Sequence, residues 1–344
     1  MKKALPLTLL AGAALVATSA FAQSQPPKAD AAMQKVLDAQ ASLKPKPIET
    51  LSPEEARKQP SAADAVKKVL SDAGQSTAPE PGVTMTTQSV QGKGGSFSVH
   101  VFTPEGNGPF PVIVYYHGGG FVIADTKVYE ASIRALAKGA RAIVVSADYR
   151  LAPEHKFPTQ PEDAFAAYKW AIQNARQWNG DPTRVAVAGE SAGGNLATVV
   201  SMMARDQKAQ LPVHQLLVYP VVDNDMNNES YKKNANAKPL NKAMMGWFFK
   251  HYGADPKSPY ALPLKATSLK GLPPATVITA EIDPLMTEGK AYADRLKKEG
   301  VAVNYRHYTG VTHEFFGMGA VVPKAKEAQQ FAAGELTKAF NAKR

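Results

Sequence analysis

From residue 83 onward the chain alternates short runs of β-branched and aromatic residues with longer amphipathic stretches. Apolar runs fall at residues 97–102, 111–116, 142–147, 185–188, 213–219, 275–279 and 302–308, and helical patterns at 162–178, 192–205, 287–298 and 324–340. Parallel strands need a crossover between them, and the crossover helices must cover both faces of the sheet they serve. Repeated strand and helix therefore predict an α/β protein with a mostly parallel sheet. Ligands of such sheets bind outside the carboxyl ends of the strands, so the residues just past each run are where chemistry is expected.

Two stretches depart from the alternation. Residues 23–81 are rich in Ala, Lys, Pro and Glu, with helix-like segments at 32–43 and 62–71. Between them Ser52-Pro53-Glu54-Glu55 places a cap residue, a proline in the first turn and acids where the helix dipole favours them. The segment reads as small helices that sit on something else. Residues 223–272 are rich in Pro, Asn and Lys and carry Trp247, Phe248 and Phe249; they read as an insertion with its own helix at 241–251.

The first 22 residues have the secretory pattern: Met1-Lys2-Lys3, an apolar run to Phe21, and small Ala20 and Ala22 at minus three and minus one of a cleavage site before Gln23. The expectation is a signal peptide over residues 1–22, no stable membrane anchor after cleavage, and a periplasmic or secreted protein. Loss of the leader removes two lysines and no acid, so the formal charge of +10 falls to +8. No basic run exceeds two residues, which speaks against nucleic acid as a partner. With no cysteine there is no thiolate nucleophile, Fe–S cluster or thiolate zinc site, so oxygen or nitrogen must do the chemistry.

The strongest motif is Gly189-Glu190-Ser191-Ala192-Gly193-Gly194, between a strand run and a helical one. A serine on so sharp a turn needs small residues two positions either side, and the turn lifts its hydroxyl out of the surface at a helix N-terminus. His117-Gly118-Gly119-Gly120-Phe121 ends an earlier strand run, and its backbone can turn N–H groups toward a ligand. With the N–H of Ala192 these would form an oxyanion hole. The sequence leaves open which two glycines donate; Gly119 and Gly120 suit best, with Gly118 shaping the turn. Among seven histidines, His313 is preferred as base because it follows the last strand run in a loop, whereas His307 lies inside that run and His117 would hold the glycine loop in place. Asp283, in the turn after residues 275–279, is preferred as its partner over Asp148, Asp163, Asp223 and Glu281; Asp163, opening a helix, would be a cap. The chain order Ser191, Asp283, His313 is that of α/β-hydrolases.

His117 to Phe121, Tyr149-Arg150-Leu151-Ala152-Pro153-Glu154-His155, Gly189 to Gly194 and Asp283-Pro284-Leu285 together resemble the hormone-sensitive-lipase-like, bacterial family IV esterases, over some three quarters of the chain. The resemblance implies an α/β-hydrolase fold with an eight-stranded sheet, helices on both faces, and a helical cap drawn from residues 23–81 and 223–272, with the catalytic domain over 82–344. It implies Ser191 as nucleophile, His313 as base, Asp283 as its orienter, and Gly119, Gly120 and Ala192 as oxyanion donors. Glu314 departs from relatives that often carry glycine after the histidine, and this bears on the local loop shape. Arg150 and Glu154 are expected to form a buried ion pair under the site, Glu190 to support the serine turn, and Phe121, Trp247, Phe248, Phe249 and Phe316 are candidates for the substrate pocket. The expected function is hydrolysis of short-acyl esters through an acyl-enzyme, without metal or cofactor, on a small-molecule ester. Amide or sugar-acetyl hydrolysis by the same triad, and a non-catalytic binding protein, are the alternatives; a homodimer is left open.

Overall fold

The computed structural model of the chain describes residues 1, 4 and 27–342. The leader expected over residues 1–22 lies outside the described residues, Met1 and Ala4 apart. The N-terminal segment forms α1 (Ala31–Ser42), α2 (Pro53–Ala56) and α3 (Ala62–Asp72). Ser52 and Glu55 close a capping box on α2, with Pro53 in its first turn. There follow β1 (Val83–Gly92), β2 (Gly95–Pro104), β3 (Phe110–Tyr116), α4 (Glu130–Gly139), β4 (Ile143–Asp148), α5 (Thr159–Asn174), β5 (Gly180–Glu190), α6 (Ala192–Asp206) and β6 (Gln215–Val218). The insertion holds α7 (Glu229–Lys233) and α8 (Lys242–Tyr252), after which come β7 (Ala275–Ile282), α9 (Met286–Lys298), β8 (Val303–Thr312) and α10 (Pro323–Asn341).

The eight strands form one sheet in the order β1-β2-β4-β3-β5-β6-β7-β8. Only β1 with β2 and β2 with β4 pair antiparallel; every other pair is parallel. Both faces are buried, as the period of two on β3 shows. Val112, Val114 and Tyr116 enter a core with α5, α6 and α9, while Ile113 and Tyr115 enter the opposite one with α4, α10 and α1. A third, smaller core joins the N-terminal segment to the insertion through Ala56, Leu240, Met245, Trp247 and Phe248, and it lies beside Val122, Val221 and Leu285, which follow strand ends.

Besides the short α7 of the insertion, two elements escape the apolar-run reading. Most of β1 is exposed, its Thr, Gln and Ser residues providing no run to detect, and it is held through its ladder with β2. Helix α4 buries a narrow face of Ser132, Ile133, Leu136 and Ala137, too few large apolar residues to stand out.

Candidate active site

Ser191 sits between β5 and α6 with φ 57 and ψ −118, a conformation non-glycine residues seldom adopt. Its neighbours hold it there: its N–H donates to Val218 O at 2.9 Å, and its carbonyl accepts from Asn195 N and Val221 N, each at 3.1 Å. A Cβ on Gly193 would stand 1.9 Å from Tyr116 O, so the small-residue requirement read from the sequence is a matter of strand-to-helix approach. Behind the turn, Glu190 is wholly buried and accepts from Tyr115 Oη at 2.5 Å and from Tyr219 Oη. Burial pushes its carboxyl up, against the opposing pull of these hydroxyls.

His313 follows β8, and its Nδ1 lies 2.7 Å from Asp283 Oδ2. Asp283 follows β7, is fully buried, and is turned by Leu285 N, which donates to Oδ1 at 2.8 Å. A carboxylate at Nδ1 leaves Nε2 as the imidazole's open acceptor. Burial works against the imidazolium, yet Asp283, with Glu314 and Glu190 behind it, outweighs burial and lifts the His313 pKa above its ordinary value. The Tyr219 ring packs against the imidazole with centroids 4.5 Å apart. Tyr219 has φ 35, and its bond to Glu190 and its contact with His313 join the serine turn to the histidine loop. Nothing in the sequence singled this residue out.

Competing acids are committed elsewhere. Asp148 contacts His100 Nε2 at 2.9 Å and holds Thr126, Asp223 faces Lys265, and Glu281 accepts from Gly310 N at 2.8 Å. His117 is buried, with Nδ1 2.8 Å from Gly118 O and its ring stacked on Tyr149 at 4.3 Å. His307 lies inside β8, as its place in the run implied, but is exposed there and touches Thr279 Oγ1 at 3.0 Å.

In the glycine loop, Gly119 and Gly120 take φ of 93 and 59. A Cβ on Gly120 would stand 2.3 Å from the Phe248 ring. Most of the loop's carbonyls are bound: His117 O by Tyr149 Oη at 2.9 Å, Gly119 O by Val122 N and Ile123 N at 3.0 Å each, and Phe121 O by Ala152 N at 2.9 Å. The N–H groups of Gly118, Gly119, Gly120 and Ala192 meet no protein acceptor among the described residues. Donors are thus left free on a backbone fixed from its carbonyl side.

Ser191, His313, Gly119 and Gly120 line one cavity of about 430 Å³, which is walled by Ile48, Leu240, Met244, Met245 and Phe248 from the N-terminal segment and the insertion. Of the five expected pocket residues only Phe248 is in its wall; Phe249 packs partly buried on the third core instead. Phe121 stacks on Tyr252 at 3.9 Å, Trp247 donates from Nε1 to Leu51 O at 3.1 Å, and Phe316 is fully buried in the core with α4 and α10. On α8, Met244, Met245 and Phe248 share the face toward the cavity, and Trp247, 100° away from Phe248, points elsewhere. Glu314 does line the cavity, with φ 67, so the position where relatives often carry glycine has a glycine-like backbone here.

The expected Arg150–Glu154 pair does not form. Arg150 meets Asp163 instead, with Nη2 2.7 Å from Oδ1 and Nε 2.9 Å from Oδ2; Asp163 is fully buried. Asp163 lies a turn inside α5 rather than at its cap. Glu154 points outward, half exposed, and meets Arg57 of the N-terminal segment. Residues four apart in a loop have no fixed facing, unlike a helix, and this loop sends Arg150 inward and Glu154 outward.

The model of the alpha/beta hydrolase fold matches residues 113–317. Carboxylesterase NlhH of Mycobacterium tuberculosis (strain ATCC 25618 / H37Rv) is 41% identical over 238 residues, 67% of this chain and 75% of that protein. The ethyl acetate hydrolase of Pseudomonas putida is 33% identical over 241 residues, 68% of this chain and 76% of that one. Among solved structures, the hyperthermophilic esterase of the archaeon Pyrobaculum calidifontis superimposes with a TM-score of 0.81 at 35% identity, covering 91% of this chain and 98% of its own. The thermostable carboxylesterase EstE1, from a metagenomic library, gives 0.78 at 37%, covering 85% and 99%. With motifs, sheet order and relatives in agreement, the chain belongs to the hormone-sensitive-lipase-like, family IV branch of the α/β-hydrolases and is a carboxylesterase-like hydrolase.

Proposed function

We propose that this ester hydrolase works through an acyl-enzyme carried by Ser191, His313 and Asp283. Ser191 Oγ attacks the ester carbonyl while His313 Nε2 takes its proton, and the developing oxyanion is held by free N–H groups of the glycine loop and Ala192. His313 returns the proton to the departing alcohol; water, activated by the same imidazole, then releases the acid and frees Ser191. Asp283 fixes the tautomer and steadies the imidazolium. The observation that carries this reading is the buried 2.7 Å contact of Asp283 with His313, whose ring borders the same cavity as the strained Ser191.

A small ester, short on its acyl side, is the substrate class this reading favours. The cavity is toward the lower end of the range for small-molecule sites, about 300–1,000 Å³, and its walls are largely apolar. The N-terminal helices and the insertion supply those walls, which supports reading them as a cap over a catalytic domain that spans residues 82–344. Export to the periplasm or medium rests on the pattern of the first 22 residues, and mass spectrometry of the mature protein should find Gln23 at its start.

Hydrolysis of chromogenic esters from acetyl to palmitoyl, with Ser191→Ala in parallel, tests the mechanism. Turnover of short esters should fall on the order of a millionfold in the variant. Wild-type activity that survives the substitution would remove Ser191 from the mechanism, and a preference for palmitoyl would overturn the short-acyl reading.

A further inference from the structure

In the glycine loop, His117 O and Phe121 O are held by Tyr149 and Ala152, just past β4, and Gly119 O by the loop's own Val122 and Ile123. The carbonyl of Val122, which directly follows Phe121, is held from outside the sheet. Arg57, the C-cap residue of α2, donates from Nε to Val122 O at 2.8 Å. The same guanidinium donates from Nη2 to Ala152 O at 2.9 Å, and Ala152 N in turn holds Phe121 O. Nη1 and Nη2 reach Glu154 Oε1 and Oε2 at 2.9 and 2.7 Å, a two-pronged carboxylate contact that fixes the plane of the group. One side chain therefore joins the N-terminal segment, the glycine loop and the loop after β4. A surface ion pair would not need both carbonyls, and a lysine could not reach three acceptors in one plane.

We infer that Arg57 is a positioning residue for ester hydrolysis: it seats the N-terminal segment on the glycine loop and so sets the aim of the oxyanion N–H groups. The inference rests on the oxyanion role proposed above for those groups. It gives the N-terminal segment a part in the chemical step in addition to walling the cavity. A segment that only bound the acyl chain would affect KM for the longer esters. One that aims the oxyanion donors affects kcat for every ester, the acetyl ester included, because acetyl is too small to use the walls.

The test compares Arg57→Ala, Arg57→Lys and Lys58→Ala on an acetyl ester and a hexanoyl ester, with hydrogen exchange followed at the amides of Val122, Ile123 and Ala152. Lys58 is the control, since it carries the same charge one residue on and pairs in solvent with Glu54 alone. Misplacing a reacting group by about 1 Å can cost on the order of a hundredfold, so Arg57→Ala should lower kcat on the acetyl ester by about tenfold or more, with KM changed about twofold at most. Exchange at the three amides should quicken, Arg57→Lys should fall between, and Lys58→Ala should match wild type. A wild-type kcat on the acetyl ester overturns the inference, whatever happens to KM for hexanoyl. Should Arg57→Ala fail to fold, Arg57→Lys decides on the same readout. If the wild-type protein cleaves neither ester, the functional reading fails separately; unchanged exchange in Arg57→Ala would then overturn the bracing as well.

Discussion

Ser191, Tyr219 and Glu314 hold φ of 57, 35 and 67, and all three border the same imidazole or its cavity. Each such residue costs on the order of 1–3 kcal/mol and persists only where its surroundings over-determine it. Here that is done by backbone hydrogen bonds on both sides of Ser191 and by the Glu190–Tyr219 bond. Glu314 also acts through charge. Its carboxyl, pushed up by burial against the pull of His313, is one of the groups that lift the histidine. Removing that charge in Glu314→Gln should lower the His313 pKa, so the free base persists to lower pH. The acid limb of the kcat/KM profile should then move to lower pH; a limb that stays in place or moves upward would remove Glu314 from the tuning of the base.

Elements are tied to one another by ionic contacts that sequence spacing did not pair correctly. Arg150, just past β4, and Asp163 in α5 are joined by a bidentate contact, and the aspartate is fully buried. Asp163→Asn leaves the guanidinium without its counter-charge in a mostly dry setting, which should cost about 3–5 kcal/mol in stability. Urea unfolding measures it; a loss under about 1 kcal/mol would mean that the pair is solvated and weak. The elements themselves were largely legible, because α/β alternation repeats the same two periods along the chain. β1 and α4 were not, since an edge strand open to water and a helix with a narrow apolar face carry little of either period. Insertion helix α8 was legible within a residue or two, as Asn241 caps its start through Met244 N and Gly253 takes φ 63 at its end.

For the molecule as a whole, buried histidines set how stability responds to acid. His214, before β6, is buried against Thr276, and burial pulls it down to about 4. Its unfolded value is near 6.5, so the unfolded chain binds the proton first, and stability is lost as pH falls from about 6.5 toward 4. The full loss is about 3 kcal/mol. His100, raised by Asp148, has the opposite sign and a higher window: it adds stability as pH falls from its raised folded value to about 6.5, and that contribution is constant below. The net slope mixes these with other shifted groups, His117 lowered by burial and His313 raised by Asp283 among them, so the measurement is a difference. Between pH 7 and 4 the wild type should lose more stability than His214→Gln, and parallel curves would show that His214 does not carry the effect.

The sequence alone determined the α/β layering and the chemistry available to it. A serine between glycines at a strand end, a glycine run after another strand, and an aspartate and a histidine each past a later strand are local patterns, readable because β-strands deliver their carboxyl ends to one edge of the sheet. Which side chains meet across that edge was decided by the tertiary structure. Glu154 took Arg57, 97 residues away, in place of Arg150; Phe248 reached the cavity in place of Trp247; Tyr219 joined two loops that no motif connects. Such pairings depend on the facing of loop residues and on the seating of segments packed outside the sheet, and neither leaves a period in the sequence.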